Sequence, residues 1–317
     1  MQRILPPALK QGARIAVLSL AGAANEDRVR LGVERLASLG YEPVLFPTAT
    51  KRGPIYFAGT AEERAADLHR AFVDESIDAI ISTRGGWGSV EILPHLDAEL
   101  IRKHPKPLIG YSDITSVHGW LTRETGLVSF YAPMVAADFA RGEFVQEGVD
   151  SASWNNALKQ GSAWQLGAKD GLHTLQEGSA GGTLFGGCIS IVAESLGTPY
   201  AMQAPEDDAI LFVEDVGTKP YQWDRYLVHL RYGGLLERVK GIVFGDMKQC
   251  VSDAAENALL EEALRHNLRD FKGPIAIGLR CGHVYEPNIS LPLAVRATLI
   301  TNSTECTLRI EEAAVTL

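Results

Sequence analysis

The sequence has no long apolar run, no close cysteine pair and no excess of positive charge. Each lack removes a class of protein. The longest apolar stretch near its N-terminus, "RIAVLSLAGAA" at 14–24, is about half of the ~20 residues that a spanning helix needs. That stretch also lacks the basic flank and cleavage site of a secretory signal, so a cytoplasmic protein without membrane contact is expected. The four cysteines, Cys188, Cys250, Cys281 and Cys306, form no C-x-x-C pair. They read as isolated reduced thiols rather than a disulfide framework or a zinc site. With no H-E-x-x-H and no Cys/His cluster, no metal is expected either. A formal net charge of -9 supplies no basic field for nucleic acid, although one or two local cations could still hold a small anion. Internal repeats and low-complexity segments are absent.

What is present is the composition of an ordinary globular protein, 46% hydrophobic and 22% charged, in 317 residues, a length that suits two domains. The first half alternates β-rich runs with helical patterns. "ARIAVLSL" (13–20) reads as a buried strand, and Val29, Val33, Leu36 and Leu39 then share a helical face that stops at Gly40. Thr60 followed by Glu63 is a capping-box signature for a helix whose buried stripe is Ala65, Leu68 and Phe72. "EPVLF", "IDAIIS", "KPLIG" and "LVSFYAP" complete a strand–helix alternation that predicts a parallel sheet covered on both faces. That rhythm spans residues 1–140, fades over 141–178, where a connection is expected, and returns over 179–317. This second α/β domain has strands at "AILFVE", "KGIVFG", "GPIAIG" and "LAVRATLI", and helices at 187–197, 220–232 and 254–268.

In such sheets ligands gather at the carboxyl ends of strands. Two stretches of the first half fall there, "STRGGWGS" (82–89) and "GYSD" (110–113). The glycines of the first fit neither G-x-x-x-x-G-K-[ST] nor G-x-G-x-x-G, so no nucleotide cofactor is implied. Gly85 and Gly86 serve either as a flexible turn or as backbone N–H donors for an oxyanion. Ser112 has two readings as well. Serine before a helix is usually a cap, and the local pattern favours that, with Ile114, Val117 and Leu121 continuing an ordinary buried face. The strand–turn–Ser–helix context also presents nucleophiles, although "GYSDI" misses the last glycine of G-x-S-x-G. In that reading the Asp113 N–H, at a helix start, meets the developing negative charge.

A serine nucleophile needs a base, usually histidine, and the base needs a carboxylate. Seven of the eight histidines fall in helical patterns or plain polar surroundings. His283, in the loop "LRCGHVYEPN", differs because it lies between two strands and beside a glycine. "AILFVEDVG" puts Glu214 and Asp215 together at a strand end, and pattern alone does not choose between them.

Four separated stretches, "STRGGWGS", "LIGYSDIT", "LFVEDVGTKPYQWDRYLVHLRYGGLLERVKGIVFG" and "GHVYEPNISLPLAVRA", resemble the LD-carboxypeptidases, serine peptidases that remove terminal D-alanine from murein tetrapeptides. A fifth, "GGTLFGGCISIVAESLGTPY", is similar with one departure. The resemblance spans nearly the whole chain and implies a Rossmann-like (flavodoxin-like) first domain with a smaller strand-rich α/β second domain. It places the nucleophile on Ser112, the carboxylate on Glu214 and the base on His283. The oxyanion donors become the N–H groups of Asp113 and Gly86. It further implies a murein peptide substrate, no cofactor, a homodimer and a role in peptidoglycan recycling. Arg84 is a candidate cation for the substrate carboxylate, and Trp87 a candidate pocket wall. Two positions depart from the family, Cys188 where relatives commonly have Asn after "GG", and Ala294 where they often have Gly after "LPL". The microcin C immunity peptidases belong to the same family and would cleave a peptidyl-nucleotide amide with the same triad. "EPNISLPLAVRA" and "VEDVGTKPYQWDR" look more like the murein-recycling branch. A non-catalytic small-molecule binding protein on this scaffold is disfavoured by the presence of Ser, Glu and His in matching motifs.

Overall fold

A computed structural model describes residues 2–317 and divides into two compact units. Of the described residues, the first comprises 2–162, 286–294 and 313–317; the second comprises 163–285 and 295–312. Among the described residues, no helix is long and apolar enough to cross a membrane.

The first unit is built on β1 (Arg14–Leu18), β2 (Glu42–Leu45), β3 (Ala79–Ser82), β4 (Leu108–Gly110) and β5 (Ser129–Tyr131). These five are parallel in the order β5-β4-β3-β1-β2, the flavodoxin-like arrangement. β1 and β3 are neighbours whose following connections run in opposite directions across the sheet, which makes their carboxyl ends the topological switch point. Between the strands lie α1 (Glu26–Ser38), α2 (Ala61–Val73), α3 (Ala98–Lys103) and α4 (Thr115–Thr125), with α5 (Ser151–Leu158) after the last. The capping box expected at Thr60 and Glu63 is formed, and Ala65, Leu68 and Phe72 are buried below it. Asn25 caps α1 by accepting from the Arg28 N–H, and Glu26 and Asp27 suit the positive end of that helix.

The second unit carries an eight-stranded mixed sheet. Its strands are β6 (Trp164–Leu166), β7 (His173–Gln176), β8 (Gly178–Cys188), β9 (Ala209–Glu214), β10 (Val239–Gly245) and β11 (Ile275–Leu279), with β13 (Arg296–Thr301) and β14 (Cys306–Ile310). β8 to β11 run parallel and adjacent, and every other neighbouring pair in the sheet is antiparallel. The helices α6 (Ile189–Ser195), α7 (Pro220–Tyr232) and α8 (Ala254–Asn267) contribute to one core, in which Val192, Trp223, Leu227 and Leu264 meet Phe212's neighbours Leu211 and Val213 and the β10 residue Phe244.

Two stretches are organised differently from the expectation. The expected connection, 141–178, carries α5 in the first unit and β6 and β7 in the second. Its short strands lie at sheet edges, where periodicity is weakest. "LAVRATLI" is not one strand. β12 (Leu291–Leu293) pairs antiparallel with β5 in the first unit, and β13 begins afresh at Arg296 in the second unit's sheet. The break is at Ala294, whose φ of 64° is left-handed. A Cβ there costs about 1–2 kcal/mol, which explains why glycine suits this position. Ala294→Gly is therefore expected to raise the unfolding free energy by about 1 kcal/mol, read as a higher urea midpoint at unchanged slope.

Candidate active site

β4 ends at Gly110, and the backbone turns sharply into a short 3-10 helix at Ser112–Ile114 before α4 starts. Ser112 takes φ 65°, a left-handed conformation that costs energy for any residue with a Cβ. Its side chain caps neither following helix, so the cap expected from the local pattern is not formed. A non-glycine residue persists in such a conformation only where surrounding contacts hold it. The Ser112 N–H donates to the Tyr131 hydroxyl at 3.0 Å, and Thr115 Oγ1 donates to the Ser112 carbonyl at 2.6 Å.

Behind this turn, His118 fixes the strand ends. Its Nε2 lies 2.9 Å from the Gly110 carbonyl and its Nδ1 2.8 Å from Ser129 Oγ. Because the carbonyl only accepts, Nε2 carries the proton and Nδ1 accepts from the serine in the neutral ring. Complete burial pushes the His118 pKa down to about 4, only partly opposed by the bond to Gly110. The unfolded chain thus takes up this proton near pH 6.5 and the folded one only near 4. His118's contribution is full above pH 6.5 and is lost as pH falls to about 4, by about 3 kcal/mol in total. Urea titrations across this window should show the fall, and His118→Gln should flatten it by about one proton.

The glycine loop lies against Ser112. A Cβ on Gly85 would sit 2.8 Å from Ser112 Cβ and 2.9 Å from Ser112 Oγ, so only glycine permits this approach. The Gly85 carbonyl accepts from the Gly22 N–H at 3.2 Å, which joins the β3 and β1 exit loops at the switch point. Gly86 and Trp87 are exposed, and the exposed Arg84 guanidinium lies beside the backbones of Gly22 and Gly86. The Asp113 N–H is in the first turn of a helix, where donors lack intrahelical partners. Its carboxyl is buried and points inward, accepting from the Ser89 N–H at 2.8 Å, and burial pushes its pKa up.

In the second unit, Cys188, Glu214 and Gly245 end three adjacent parallel strands, and the loop after the fourth carries His283. Glu214 is fully buried. One of its oxygens accepts from the His283 N–H at 2.9 Å and from His283 Nδ1, also at 2.9 Å; the other lies 3.2 Å from Nδ1. A carboxylate only accepts, so the neutral imidazole is protonated on Nδ1 and keeps its basic lone pair on Nε2. Gly282 makes room for this pair. Its φ is 93°, and a Cβ there would fall 2.4 Å from Glu214 Cδ. Asp215 is engaged differently, since it accepts from the N–H groups of Val216 at 2.8 Å and Ser190 at 3.2 Å.

Cys188 pairs with Glu214 across β8 and β9, and its Sγ is 3.3 Å from Ser190 Oγ. Burial, with Asp215 and Glu214 nearby, pushes its thiol pKa well up, so it stays protonated and unreactive. Among the described residues, no three His, Cys, Asp or Glu side chains gather as metal ligands would. Sequence reading missed Tyr131 and Ser89, which hold the two loops. Tyr131 does end the strand "LVSFYAP" at the carboxyl edge, and that position was the available signal.

A serine held in a strained strand-to-helix turn and an imidazole oriented by a buried carboxylate are the parts of a serine hydrolase. Residues 15–132 match the LD-carboxypeptidase N-terminal domain and residues 181–299 the LD-carboxypeptidase C-terminal domain. A probable murein peptide carboxypeptidase of Bacillus subtilis is 34% identical over 96% of this chain and 94% of that protein. Among solved structures, an MccF-like protein from Bacillus anthracis superposes with TM-score 0.88 at 27% identity, covering 98% of this chain and 99% of that one. A muramoyltetrapeptide carboxypeptidase from Oxalobacter formigenes superposes with TM-score 0.83, also at 27% identity, over 96% of this chain and 100% of that one. The chain belongs to the LD-carboxypeptidase family.

Proposed function

We propose that the protein is a serine carboxypeptidase that releases terminal D-alanine from murein tetrapeptides, with Ser112, His283 and Glu214 as its triad. The observation that carries this reading is the left-handed backbone of Ser112, whose hydroxyl is not used as a helix cap. Ser112 Oγ attacks the carbonyl on the L-centre of the diamino acid that precedes D-alanine. His283 Nε2 takes the serine proton, and Glu214 stabilises the resulting imidazolium through Nδ1. The N–H groups of Asp113 and Gly86 stabilise the tetrahedral oxyanion. His283 then donates its proton to the departing amine, the C–N bond breaks, and D-alanine leaves. Water, deprotonated by His283, hydrolyses the acyl-serine and restores the enzyme. Arg84, beside the glycine loop, is the cation for the free carboxylate that a carboxypeptidase must recognise, and Trp87 walls the pocket. The enzyme acts in the cytoplasm on recycled peptidoglycan, as a homodimer.

The substrate is tested by offering murein tetrapeptide and an aminoacyl-sulfamoyl nucleotide separately to the purified protein. Release of D-alanine, with slow or no cleavage of the nucleotide amide, is expected. Cleavage of the nucleotide alone would move the protein to the immunity branch of the family.

A further inference from the structure

The loop that carries Gly86 is anchored beyond its exposed tip by two buried ionisable side chains. Asp113 Oδ2 accepts from the Ser89 N–H at 2.8 Å, and Ser89 Oγ donates to the Asp113 carbonyl at 2.5 Å. The neighbouring Gly88 carbonyl accepts from Arg64 Nη1 at 2.7 Å. The same Nη1 donates to the Leu20 carbonyl at 2.7 Å, and Nη2 meets Glu91 at 3.0 Å. Arg64 and Asp113 are both fully buried. At the other end, Ser82 Oγ donates to the Arg84 carbonyl at 3.1 Å, and Gly85 is tied to Gly22. Gly86 and Trp87 therefore span a short bridge between two fixed points.

Burying a carboxyl costs several kcal/mol unless its bonds repay it. Here Oδ2 accepts from the Ser89 N–H, with the Gly88 N–H and the Ser89 hydroxyl close by, and burial still pushes the carboxyl's pKa up. Stability alone accounts poorly for an acid in that place. The residue follows the nucleophile directly, and its side chain grips the residue that closes the glycine loop. We propose that the Asp113 side chain is a positioning group for the oxyanion site. Through Oδ2 and Ser89 it sets the Gly86 N–H at a fixed distance from the Asp113 N–H, and Arg64 braces the loop from the opposite side. One residue thus supplies one donor and places the other.

This rests on the carboxypeptidase reading, and the experiment separates the two. D-alanine release from murein tetrapeptide is followed for the full-length wild type, Ser112→Ala, Asp113→Ala, Asp113→Leu and Asp113→Asn, each checked for folding by circular dichroism. An inactive wild type or an active Ser112→Ala variant defeats the parent reading. With those two behaving as expected, Asp113→Ala should lose about 10²-fold in kcat with KM within about twofold, because a displaced donor is felt in the transition state rather than in substrate binding. Asp113→Asn retains an oxygen acceptor for the Ser89 N–H and should recover most of that loss. Asp113→Leu, which keeps the side-chain bulk but offers no acceptor, should show the same loss in kcat and decides the matter if Asp113→Ala does not fold. Folded Asp113→Ala or Asp113→Leu protein with wild-type kcat overturns the proposal, as does an Asn variant no better than either.

Discussion

Ser112→Ala is expected to lower kcat by about four to six orders of magnitude, because the residue that forms the covalent bond is gone while the rest of the site remains. Ser112→Gly should be equally inactive, yet the two variants should differ in stability. Alanine keeps the Cβ and hence the cost of φ 65°. Glycine relieves it, so the glycine variant should be about 1 kcal/mol more stable than the alanine variant. A paired urea denaturation measures that difference. Equal midpoints would mean that the turn is not strained, and wild-type kcat in either variant would remove Ser112 from the mechanism. Loss of all activity in both variants, together with the stability gain in the glycine variant, is the expected mark of a residue retained for chemistry.

The second large effect is expected at Glu214. Its carboxylate accepts from both the backbone N–H and Nδ1 of His283. Glu214→Gln offers one acceptor and one N–H₂ to two donors, so the ring rotates or adopts the tautomer with its proton on Nε2, where it cannot act as a base. A fall of about 10³–10⁴ in kcat follows from the loss of tautomer and orientation alone. Asp215→Asn is the control. That side chain serves the N–H groups of Ser190 and Val216, and its loss of kcat should stay below about tenfold, since it orients no reacting group. If Asp215→Asn proved the more damaging, the carboxylate assignment would pass to Asp215. Gly282→Ala should resemble Glu214→Gln, because its Cβ would collide with the Glu214 carboxyl.

The parallel sheet of the first unit was legible because its strands are short continuous apolar runs separated by capped amphipathic helices. Thr60 and Glu63 mark one such helix unambiguously, and the expected helix at 220–232 is the observed α7 (Pro220–Tyr232). The edge strands β6 and β7 were not legible, as three or four half-exposed residues carry no measurable period. The division of "LAVRATLI" was hidden for another reason. Ala294 gives no local sign that it must turn left-handed, and only the family's preference for glycine there hinted at it.

The candidate site was legible in part. Local pattern misread Ser112 as a cap, since residue type and spacing do not encode a backbone φ. The choice between Glu214 and Asp215 was closed to periodicity and came from family likeness. The close contact of Glu214 with His283 depends on the empty space at Gly245 and Gly282, which are far apart in sequence. Tyr131, Ser89 and Arg64 act through long-range bonds to backbone atoms, and such bonds leave no motif.

The central claim is that Ser112 carries carboxypeptidase chemistry. Its most direct test is quantitative mass spectrometry of the products formed from murein tetrapeptide by the wild type and by Ser112→Ala. Equimolar D-alanine and tripeptide from the wild type, with none above background from the variant, is the expected result. Equal D-alanine release by both proteins, or none from the folded wild type, would contradict it.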